Sequence, residues 1–98
     1  MSPREEMEAV LKKLEDEYRF WMVEAVKMGR GIEVMEDEIQ GHNQELGMDR
    51  AADLNRRLSY VRDKHQEIEE RIFAIRQRLE ELRERLNRMP ESGGNEQK

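Results

Sequence analysis

The chain contains no cysteine. Disulfides, thiolate metal sites and a cysteine nucleophile are therefore excluded. Aromatic residues make up only 5% of its 98 residues and the hydrophobic fraction is 36%, too little apolar surface for an ordinary globular core. Proline occurs twice, at Pro3 and Pro90, close to the two ends. No apolar run approaches the ~20 residues that span a bilayer. The opening residues, Met1-Ser2-Pro3-Arg4-Glu5-Glu6, lack the apolar stretch of a secretory signal. The expected localisation is cytoplasmic.

What the chain has in quantity is charge, at 42% of residues. High charge is a usual mark of disorder. Here, however, the signs are mixed and patterned, which suits long helices that bury one stripe and solvate the rest. The net charge of −5 argues against a dedicated nucleic-acid binder, although local charge can override a total.

The longest regular pattern runs from Arg50 to Met89. Ala51, Leu54, Leu58, Val61, His65, Ile68, Ile72, Ile75, Leu79, Leu82, Leu86 and Met89 alternate in steps of three and four. That is a coiled-coil seam of about six heptads, interrupted only by His65. Pro90 ends it. Residues 91–98 are polar and glycine-rich and are expected to form a disordered tail.

The first half carries a coarser seam: Met7, Leu11, Leu14, Tyr18, Trp21, Ala25, Met28, Ile32, Met35, Ile39, His42 and Leu46. Methionine and aromatics fill irregular gaps, so a less regular interface is expected. Ser2, Pro3 and Glu5 together make a helix start, with Ser2 and Glu5 spaced as a capping box. Between Tyr18 and Met28 most residues are apolar. Phe20, Val23 and Val26 lie off the seam, on the side that a simple helix pair leaves wet. Gly29 and Gly31 each cost a helix roughly 1 kcal/mol against alanine. They predict either a kink or close approach by another backbone.

Gly41-His42-Asn43-Gln44 is weak helix. Gly47 reads as a helix stop and Asp49 as the next cap. The expectation is one helical domain over residues 1–90: a first helix over about 3–46, a turn at 47–49 and a second helix over about 50–89.

The residues beside each seam select the pairing. In the second half the g positions are Arg50, Arg57, Lys64, Arg71, Arg78 and Arg85, all basic. In the first half the corresponding flanks are largely acidic, including Glu8, Glu15, Glu17, Glu24, Glu36 and Glu38. Like charges would meet if the second half paired with itself in either direction. The two halves match each other, so an all-α antiparallel coiled-coil hairpin is predicted. Charge leaves the register open: Glu38 can face Arg57 or, one heptad away, Lys64.

A hairpin of two helices buries little and is marginal alone. The surplus apolar belt suggests completion as a four-helix bundle by homodimerisation, or a surface for a different protein. The candidate interaction residues are Phe20, Trp21, Met22, Val23, Val26, Gly29, Gly31 and, off the second seam, Phe73.

Chemistry is thinly represented. His42 and His65 both occupy seam positions and have glutamates within a turn, so a metal reading is available. Two polar seam residues setting register is the simpler one. There is no phosphate-binding loop, dinucleotide fingerprint or zinc-protease motif. No enzymatic activity, cofactor, metal or small-molecule substrate is expected. Membrane-surface binding is not expected either, since the belt has no lysine-rich polar face. The function expected is protein binding, as an adaptor, scaffold or inhibitor. The alternative is a nucleic-acid-binding hairpin dimer that uses arginines of the second helix, among them Arg56, Arg62, Arg76, Arg83 and Arg88.

Overall fold

The structure, a computed structural model, describes residues 1–41 and 47–89. The predicted tail at 91–98, the helix over 42–46 and His42 lie outside the described residues. Among those described, all regular structure is helical. Helix α1 is Pro3–Gly41 and helix α2 is Met48–Arg88. Neither is long and apolar enough to cross a membrane. The helices pack as an antiparallel hairpin that divides into two compact units. One joins the start of α1, through Trp21, to the end of α2, from Arg71 onward. The other is Met22–Glu70.

The predicted capping box is present at α1. Glu5 N–H donates to Ser2 Oγ at 3.1 Å, and Ser2 N–H donates back to Glu5 Oε1 at 3.0 Å. At α2 the cap differs from expectation. Ala51 N–H donates to the Gly47 carbonyl at 3.0 Å, so Gly47 holds the cap position and Asp49 lies in the first turn. Glycine tolerates the non-helical cap backbone almost as well as aspartate. Asp49 still benefits there from the positive end of the helix.

In the first unit, Ile72, Ile75, Leu79, Leu82 and Leu86 are buried. Facing residues Met7, Leu11, Leu14, Tyr18 and Trp21 are only half-buried. Arg83 donates to Glu15 Oε2 at 3.0 Å between the helices. Arg4 Nη1 donates to the carbonyls of Leu86 and Met89 at 3.1 and 3.4 Å. A cation from the first turn of α1 thus meets carbonyls at the negative end of α2.

In the second unit, Leu54 and Leu58 are buried, and Arg62 donates to Glu36 across the helices. His65 lies against Gly29: a Cβ placed there would sit 3.7 Å from His65 Nε2. This contact settles the register. Had Glu38 faced Lys64, His65 would lie level with Asp37, ~12 Å along α1 from Gly29. The alternative with Glu38 level with Arg57 is the one adopted.

Every buried residue among those described is on α2, and α1 has none. Methionine, tyrosine and tryptophan on α1 reach past the width of a single partner, so their ends remain wet. Leu11, Leu14, Ile32 and Ile39 of the same seam are only half-buried as well, so side-chain shape does not by itself account for the asymmetry.

Candidate interaction surface

Phe20, Val23 and Val26 follow one another at intervals of three on α1. Such residues form a continuous ridge over successive turns. In the heptad of α1 they are c, f and b positions, opposite the seam. All three are more than half exposed, at 54%, 53% and 52%. Met22 beside them is 39% exposed. The predicted belt is therefore an open apolar face on a helix that has no fully buried residue.

The other candidate residues separate from this face. Trp21 is half-buried in the seam. The Phe20 ring stands edge-on to it, with centroids 5.0 Å apart and planes at 81°. The Arg71 guanidinium lies over the indole at 5.1 Å, a cation–π contact. Phe73 is 58% exposed on α2. Gly29 is half-buried beside His65, and Gly31 is exposed with nothing near its missing Cβ. Helix α1 runs through both glycines without a break; the nearest atom to a Cβ at Gly29 is His65 Nε2, and none lies within 4 Å of one at Gly31. Sequence reading missed Val34, exposed at 66%. Its signal was available, because Val34 occupies the same heptad column as Phe20, two heptads on.

Charges border the face. Asp16 accepts from Arg19 at 2.6 Å and lies 3.7 Å from Lys12. Lys27 lies 3.6 Å from Glu24. Lys13, Arg30 and Glu33 are exposed. On α2 six arginines engage carboxylates: Arg56 and Arg57 at Asp53, Arg78 at Glu81, Arg88 at Glu84, and Arg62 and Arg83 across to α1. Several of these pairs run along α2 itself, where the sequence had suggested partners across the seam. Residues three or four apart on one helix are near neighbours, and that proximity wins.

His65 makes a polar seam contact. Its Nε2–H donates to the Ala25 carbonyl at 3.2 Å, and Nδ1 is 3.9 Å from Glu69 Oε1. Among the described residues, no group of three or more histidines and carboxylates is placed to hold a metal ion. No family model matches the chain, and no curated protein or solved structure matches it either.

Proposed function

We propose that the chain is a cytoplasmic, non-enzymatic protein–protein interaction module, an adaptor, scaffold or inhibitor, that homodimerises and binds by helix-face recognition. One observation carries this reading. Helix α1 has no buried residue over its whole length, while Phe20, Val23 and Val26 stand more than half exposed on the face away from its seam. Exposed apolar residues gathered on one ridge are the mark of a contact surface, whereas scattered ones are not. Phe73 and Met22 are candidate supporting anchors. Carboxylates beside most α2 arginines favour this reading over a nucleic-acid-binding dimer, which needs its cations available for phosphate.

Sedimentation of the pair Phe20→Asp and Val23→Asp tests the proposal. The wild-type chain is expected to sediment as a dimer and the double variant as a helical monomer. A double variant that remains dimeric removes the face from the interface.

A further inference from the structure

The open face of α1 is complementary to itself when reversed. Run two copies of α1 antiparallel about Val23 and the side chains fall into pairs. Val23 meets its own copy, and Phe20 meets Val26. Seven residues out from the centre, Asp16 meets Arg30. Ten residues out, Lys13 meets Glu33. These residues are exposed, so all are available for contact.

Competing arrangements fare worse. A parallel pair sets every residue against its own copy, so Lys13, Asp16, Arg19, Lys27 and Arg30 each meet a like charge. Sliding the antiparallel pair by one heptad puts Val23 against Arg30 or against Asp16. The centred arrangement has one kind of like-charged pair, Arg19 with Lys27, which the symmetry repeats. Each of these already has an acid on its own helix, Arg19 at Asp16 and Lys27 at Glu24.

Building on the interaction-module reading above, we infer that the partner of this face is a second copy of the chain. It seats antiparallel, α1 on α1, about a two-fold axis at Val23. The interface is isologous, so the Asp16–Arg30 and Lys13–Glu33 pairs each occur twice. The stretch from Lys13 to Glu33 gives it ~30 Å of helix. Helix α1 then holds α2 with its seam and the second copy with its opposite face. The assembly is layered, unlike a square four-helix bundle.

The absence of cysteine makes the test direct. Val23→Cys in the full chain is expected to form a disulfide-linked dimer under mild oxidation, far faster than Tyr60→Cys. Charge reversal is the second arm, read as dimer dissociation constants by sedimentation. Asp16→Arg and Arg30→Asp are each expected to weaken the dimer about tenfold, because one substitution disturbs two symmetric pairs. Combining them is expected to recover most of that loss. A dimer in which Val23→Cys crosslinks no faster than the control, or in which the combined variant is as weak as either single one, overturns this inference alone. A wild-type chain that is monomeric at every concentration overturns it together with the dimer proposed above.

Discussion

At the scale of single residues, the contact between His65 and the turn of α1 at Ala25–Gly29 does the most to place the helices. The Ala25 carbonyl already accepts within the helical ladder, and the imidazole uses its second lone pair. The contact satisfies a polar seam residue in the register adopted. The sequence marked His65 as the odd residue of the seam. It could not name the acceptor, because backbone carbonyls leave no trace in side-chain pattern. The glycines were legible as costly but not as to purpose. Gly31→Ala is expected to raise stability by about 1 kcal/mol, since open space awaits its methyl. Gly29→Ala is expected to gain less, its methyl landing in ordinary contact with His65. Thermal unfolding followed by circular dichroism reads both; if Gly31→Ala lowers the midpoint, that glycine has a role beyond the hairpin.

Between the two helices the division of labour is unequal. Both seams were plain from their three-and-four alternation, and with the acidic and basic flanks they implied the hairpin. Which seam would be covered was not plain. Residue type does not decide it, because leucine occurs on both sides of the contrast, and a periodic pattern gives no weight to how fully each position is covered. Leu79 is 3% exposed, whereas Leu14 on α1 is half-buried. Leu79→Ala is expected to cost about 2–3 kcal/mol in urea unfolding, and Leu14→Ala about half as much. Equal losses would mean that α1 is covered in solution more fully than its own α2 can manage. The charged flanks were legible in their sign and less so in their partners. Glu15–Arg83 and Glu36–Arg62 do cross between helices, while Arg57 and Arg78 turn to acids on α2. Exposed pairs of this kind contribute only a few tenths of a kcal/mol, so such exchanges barely disturb the fold.

For the whole molecule, stability and association are one question. A hairpin with seven buried side chains among the described residues, all of them on α2, has little in reserve. If a second copy covers the Phe20–Val26 face, mass action links folding to concentration. The unfolding midpoint is then expected to rise by several degrees across a hundredfold increase in protein, and Phe20→Asp with Val23→Asp should abolish the dependence. A concentration-independent midpoint in the wild type would show that the hairpin stands alone. The two compact units also differ in how the chain closes them. Met22–Glu70 is one continuous segment, whereas the other unit joins residues more than half the chain apart. Closing distant segments costs more loop entropy. The only tryptophan of the chain, Trp21, lies in that long-range unit with Arg71 over its indole. Nature has thus placed an intrinsic fluorophore in the unit whose closure is entropically dearest. Stopped-flow emission on the unmodified protein can time that closure against the gain of helix, with no label attached.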